Sequence, residues 1–292
     1  DGGCEVRVGR LGRLHGWCRS GASGHRANLL ARQPESFEWT PPRRPIVPLA
    51  LRPMGHIRRE VDETGPLWPP RCRLGVPVAD IRQIIAIGLN YRDHAEEAGM
   101  PVPDYPLAFA KAIASLSGCG DPIVVPVGAD KLDWEVELGF LVGREAKNVS
   151  VDNALGYVAG YCTVIDVSER CWQFERGGQL GKGKSHDSFT PVGPWLATRD
   201  EVPDPQCLDL WLNVGDEARQ RGTTAEMLFS IAELVAHLST YQTLLPGDLV
   251  ITGTPAGVAL GMQPPLYLKL GDELSCGISG LGEQHHRVEL ED

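Results

Sequence analysis

The chain has 292 residues, 42% hydrophobic and 23% charged, with a formal net charge of -10. It is long enough to bury an active site. No apolar run reaches the length of a bilayer span, and the negative field repels nucleic-acid phosphates, so membrane-spanning and non-specific nucleic-acid-binding classes are set aside. Eight cysteines are dispersed with no Cys-x-x-Cys pair, which reads as reduced thiols in a cytoplasmic enzyme.

Charge is uneven: residues 1–60 carry 11 Arg, no Lys and 5 acidic residues, so the acidic excess belongs to the remainder. Residues 1–50 are rich in Gly, Arg, Ser and Pro and hold no sustained periodicity. The run Thr40-Pro-Pro-Arg-Arg-Pro45 is a linker by composition. The Arg-rich, Lys-free beginning is only superficially like a transit peptide, having no convincing amphipathic helix. The expected organisation is a poorly specified N-terminal extension over residues 1–75 and one folded domain over residues 76–292.

Ile84-Ile-Ala-Ile-Gly88 is a run of buried-strand length, followed by a helix-like segment Arg92–Ala98 stopped by Gly99 and Pro101. His94 and Glu97 lie at i, i+3 on one face of it, either a surface ion pair or a working dyad. Strand-like text with turns occupies residues 105–127. Next comes Asp133-Trp-Glu-Val-Glu-Leu-Gly-Phe-Leu-Val-Gly143. In an extended strand Glu135 and Glu137 share one face, while Trp134, Val136, Leu138 and Phe140 share the other. The paired carboxylates read either as the wet face of an edge strand or as half of a hard-metal site, because buried like charges need a cation or a shared proton between them.

Gly156–Asp166 is a second buried strand that delivers Asp166 at its end. Ser168–Glu175 reads as a short helix and Arg176–Lys184 as a glycine-rich loop, without the spacing of a nucleotide-binding P-loop. Leu208–Val214 alternates as a strand, and Thr224–Leu238 is expected to be an amphipathic helix with His237 as a packed or solvated residue. A Pro246-Gly-Asp248 turn feeds a short strand broken by Thr252-Gly-Thr-Pro255, whose hydroxyls suit a carboxylate. Leu266–Leu270 and Leu274–Ile278 complete an all-β ending, so the fold class is β-rich α+β.

Taken together, Gly88-Leu-Asn-Tyr-Arg-Asp-His-Ala-Glu-Glu97, Asp133-Trp-Glu-Val-Glu-Leu138, Ile165-Asp-Val-Ser-Glu-Arg170, Gly183-Lys-Ser185, Pro246-Gly-Asp248 and Thr252-Gly-Thr-Pro-Ala-Gly257 resemble the fumarylacetoacetate hydrolase superfamily over roughly residues 80–290. Phe174–Gln179 and Gly277–Gln284 are most similar to its branch acting on acylpyruvates and 2,4-diketo-3-deoxy sugar acids. The resemblance implies a distorted β-roll with a few peripheral helices, a homodimer, and a Mg²⁺ or Mn²⁺ ion, Ca²⁺ suiting the same all-oxygen donors. It implies Glu135, Glu137 and Asp166 as metal ligands, His94, Glu97 and Lys184 as catalytic residues, and Arg170, Gln173 and Thr254 as substrate contacts. The implied reaction is hydrolysis of the C3–C4 bond of a 2,4-diketo acid to pyruvate and a carboxylic acid. The alternatives are an oxaloacetate decarboxylase, a 2-oxo acid tautomerase or isomerase, and a non-catalytic metal-binding protein. One departure stands out: Lys111-Ala-Ile-Ala-Ser115 replaces the Lys-Pro-Ser that members commonly carry.

Overall fold

The computed structural model describes residues 73–291. Of the N-terminal extension expected over residues 1–75, residues 1–72, with the linker at 40–45, therefore lie outside the described residues. In chain order the strands are β1 (Ile84–Gly88), β2 (Leu107–Lys111), β3 (Leu116–Gly118), β4 (Ile123–Val125), β5 (Leu132–Asp133), β6 (Val136–Val142) and β7 (Val158–Ile165). They continue as β8 (Ser168–Glu169), β9 (Thr190–Thr198), β10 (Asp209–Val214), β11 (Glu217–Thr223), β12 (Leu249–Ile251), β13 (Glu273–Ile278) and β14 (Glu283–Leu290). Among the described residues four α-helical segments accompany them: α1 (Arg92–Glu97), α2 (Val151–Ala154), α3 (Leu180–Gly183) and α4 (Ile231–Tyr241).

A seven-stranded mixed sheet runs β2-β1-β12-β6-β7-β9-β3, a five-stranded sheet runs β11-β10-β13-β14-β4, and β5 pairs with β8. Strand β6 occupies the centre of the larger sheet, antiparallel to both β12 and β7. Every one of its residues is buried, because both of its faces are covered. Val136, Leu138, Phe140 and Val142 enter a core shared with Leu210 and Leu212 of β10, Leu274 and Ile278 of β13, and Leu234 and Leu238 of α4. Truncating a residue such as Phe140 to alanine in so dense a setting costs about 3–5 kcal/mol. The other face packs Leu141 with Ile84, Cys162, Val164 and Leu249. Gly139 is needed on that face: a Cβ there would sit 2.6 Å from Val164 Cγ2.

The β-rich expectation holds, with local differences. Helix α4 begins at Ile231 rather than near Thr224, because Ser230 and Glu233 form a reciprocal capping box that fixes the start. Residues Thr224–Glu226 form only a 3-10 turn ahead of it. Glu169 accepts the N–H groups of Asp130 and Lys131, so Ser168–Glu169 is drawn into a strand and only Cys171–Glu175 coils, as a π-type turn. Leu266–Leu270 is not strand, whereas Glu283–Leu290 is. His237 packs against Tyr241 with ring centroids 4.8 Å apart, as a surface aromatic contact. No helix among the described residues is long and apolar enough to cross a membrane.

Candidate active site

The segment Asp133–Val142 is two strands with a break at Trp134–Glu135. Asp133 makes the break: its Oδ1 accepts the N–H of Trp134 and of Ala259, both at 2.8 Å, and its Oδ2 accepts Leu260 N–H at 3.0 Å. The Trp134 indole enters the core and donates to Gly257 O at 3.0 Å, while Glu135 and Glu137 point the other way. Asp166 follows directly on β7, and its N–H donates to Glu135 O at 2.8 Å. Adjacent antiparallel strands thereby bring Asp166 beside the paired glutamates. Carboxylate oxygens of Glu135, Glu137 and Asp166 lie within 4.8 Å of one another, and all three residues are buried.

Three cations hold these like charges together. Lys184 Nζ donates to Glu135 Oε2 at 2.6 Å, to Asp166 Oδ2 at 2.7 Å and to Ser168 Oγ at 2.7 Å. Arg170 Nη2 donates to Glu135 Oε1 at 2.6 Å, and its Nε to Asp133 Oδ2 at 2.8 Å. Lys111 Nζ pairs with Asp166 Oδ1 and donates to Phe189 O at 2.8 Å. Burial alone would raise the Glu135 carboxyl, but Lys184 and Arg170 outweigh it and bring it down to about 2. Glu137, whose Oε2 accepts only the Gly253 N–H at 2.8 Å, is pushed well above its ordinary range by burial and by the charges of Asp166 and Glu135. Burial would lower Lys184, yet Asp166 and Glu135 leave it above its ordinary value, whereas for Lys111 burial prevails and lowers it. One carboxyl biased toward its proton beside another held ionised is how a dense anionic site shares its charge among protons, two lysines and an arginine.

The other expected residues, except Glu97 behind His94, line one pocket: His94, Arg170, Gln173, Lys184 and Thr254 stand there with the carboxylate cluster. Helix α1 presents His94, 7% exposed, with Nδ1 3.6 Å from Glu97 Oε2. That is beyond hydrogen-bond range, and Nδ1 has no hydrogen-bond partner among the described residues. Glu97 is anchored by Gly257 N–H, which lies 3.0 Å from each carboxylate oxygen. Arg170 Nη1 donates to Gln173 Oε1 at 3.0 Å, so these two form one buried unit with Asp133 and Glu135. The Thr254 hydroxyl donates to Val136 O at 2.9 Å and accepts from Gln220 Nε2 at 2.7 Å, an arrangement that braces the strand carrying the glutamates.

Sequence reasoning missed Lys111, Asp133, Ser168 and Gln220. Lys111 carried a legible signal, being the one charge ending the apolar Leu107–Lys111 run. Gln220 offered none, because its role is to accept Val136 N–H at 2.9 Å from a strand 84 residues away.

A rolled, sheet-rich scaffold that buries three carboxylates beside a histidine, a glutamate and a lysine defines an enzyme-type acidic centre. Residues 83–289 match the family profile "Fumarylacetoacetate (FAA) hydrolase C-terminal", and the chain belongs to the fumarylacetoacetate hydrolase superfamily. A relative from Burkholderia cenocepacia (strain HI2424), provisionally named a hydrolase, is 55% identical over 236 residues, covering 80% of this chain and 84% of that protein. Among solved structures, an HpcE-type protein from Mycobacterium smegmatis is 40% identical with a TM-score of 0.73, covering 76% of this chain and 79% of that one. Fumarylpyruvate hydrolase from Pseudomonas aeruginosa, solved with Mn²⁺ and pyruvate, is 29% identical with a TM-score of 0.68, covering 78% of this chain and 100% of that one.

Proposed function

We propose that the chain is a divalent-metal-dependent hydrolase that cleaves the C3–C4 bond of an acylpyruvate-type 2,4-diketo acid, releasing pyruvate and a carboxylic acid. The observation that carries this reading is the convergence of the Glu135, Glu137 and Asp166 cluster with His94 and Lys184 on one pocket. Three buried carboxylates with no nitrogen or sulfur donor fit a hard ion, so these residues would hold Mg²⁺ or Mn²⁺, with Ca²⁺ compatible by donor chemistry. The Mn²⁺ and pyruvate in the Pseudomonas relative support the same reading. Bound there, the ion supplies electrophilic polarisation of the 2-oxo group and counter-charge for the anion left on cleavage.

The chain's own residues account for the proton movements. His94 takes a proton from the water that attacks C4, and the C3–C4 electron pair then leaves as the enolate of pyruvate. Glu97, 3.6 Å from His94 Nδ1, orients the imidazole and supports its positive charge, the contact tightening once substrate is bound. Lys184, whose buried carboxylate partners keep its ammonium charged, stabilises the developing negative charge. The proton held on His94 returns to C3, which balances water plus diketo acid against pyruvate plus acid. Arg170 and Gln173, bonded to each other, orient the substrate's polar end, beside the Thr252–Pro255 turn whose hydroxyls donate to Leu138 O and Val136 O and so brace the strand that carries the glutamates.

Pyruvate release from acylpyruvates with Mg²⁺, and its loss on adding a chelator, tests this reading. Carbon dioxide release from oxaloacetate, or isomerisation without cleavage, each in the absence of acylpyruvate hydrolysis, would replace it with one of the other metal-enolate chemistries.

A further inference from the structure

Resting on that reading, we infer that the substrate's arm beyond C4 is an apolar acyl chain, neither a second carboxylate nor a sugar-like polyol. Strand β2 lays out the pocket as a ruler. Its alternate residues Leu107, Phe109 and Lys111 share one face. Lys111 reaches the Asp166 carboxylate, and the Phe109 ring lies 5.9 Å from Lys184 Nζ. Leu107 stands four residues, about 13 Å, along the strand from Lys111. The polar groups therefore gather at the Lys111 end, and the lining becomes hydrocarbon toward Leu107. Met100, Phe174, Leu180 and Leu260 line the same pocket from other segments. Leu107 and Phe174 remain 41% and 39% exposed, which leaves an apolar lip at the mouth.

Charge leads to the same conclusion. Among the described lining residues the lysines and arginines are Arg170 and Lys184. Each already faces two carboxylates at the polar end: Asp133 and Glu135 for Arg170, Glu135 and Asp166 for Lys184. A distal carboxylate would enter hydrocarbon without a counter-ion, and polyol hydroxyls without partners, both of which oppose binding. Methylenes would instead leave water, a gain of about fourfold in affinity for each one fully buried.

Binding separates this inference from the catalytic reading. Three 2-oxo acids that cannot undergo C3–C4 hydrolysis are titrated calorimetrically into the Mn²⁺-loaded full-length protein: 2-oxooctanoate, its eight-carbon dicarboxylate counterpart 2-oxooctanedioate, and 2-oxo-3-deoxygluconate. The expected result is that 2-oxooctanoate binds at least about tenfold more tightly than either of the others, the equivalent of about two buried methylenes. Leu107→Arg, at the exposed mouth, should narrow or reverse the preference over the dicarboxylate. Equal or tighter binding of the dicarboxylate or the polyol by wild type would overturn the inference and leave the 2-oxo acid reading standing. Failure of all three to bind would overturn both.

Discussion

The ammonium of Lys184 lies 2.6 Å from Glu135 Oε2, a salt bridge with both side chains buried at the centre of the anionic cluster. Removing one partner of a buried pair leaves an uncompensated charge and costs about 3–5 kcal/mol. Lys184→Met is therefore expected to lower the urea midpoint of the metal-free protein markedly, with Mg²⁺ restoring much of the loss. A midpoint unchanged in the absence of metal would show that the lysine is not what neutralises the cluster.

Proton release should accompany metal binding. A ligating carboxylate must be ionised, and Glu137 is pushed well above its ordinary 4.5 by burial and by Asp166 and Glu135. The ion displaces that proton, so affinity rises with pH through the raised range of Glu137 and weakens as pH falls. Glu135, held at about 2, adds nothing to this dependence above the acid range. Calorimetry in two buffers of different ionisation enthalpy measures the release; identical apparent enthalpies would contradict it.

His94→Ala should reduce turnover by about 10²–10⁴-fold, the usual contribution of a general base, while leaving metal affinity intact. Steady-state pyruvate release paired with a Mn²⁺ titration makes the comparison. Unchanged turnover would remove the His94–Glu97 pair from the mechanism.

Gly257 links two parts of the site. Its N–H anchors Glu97, its carbonyl accepts the Trp134 indole, and its φ is +105°. An added Cβ would meet Arg219 O at 2.0 Å. Gly257→Ala should cost at least the roughly 1–3 kcal/mol of a strained backbone conformation and lower turnover by displacing Glu97. Wild-type melting temperature and activity in the variant would show that the turn is not a constraint.

What the sequence disclosed followed the reach of its signals. Alternation in Trp134–Phe140 predicts which face of β6 is core, and both glutamates and Asp166 are where that alternation and the β7 strand end put them. The break at Trp134–Glu135 was not legible, because it depends on Asp133 accepting backbone N–H groups from residues 259 and 260. The start of α4 was misplaced since apolar spacing through Met227 and Leu228 continues ahead of the Ser230 cap. Lys111 was visible as an oddity in an apolar strand, but its partner Asp166 lies 55 residues away. Local periodicity finds faces, and only the assembled sheet shows which charges meet.

The proposed function stands on Glu135, Glu137 and Asp166 holding one divalent ion. Titrating Mn²⁺ into metal-stripped wild type and into Glu135→Gln tests it most directly. One ion per chain is expected in wild type, with an affinity loss in the variant beyond the roughly 10–100-fold typical of changes one step removed from a ligand. Equal affinity in the two proteins would contradict it.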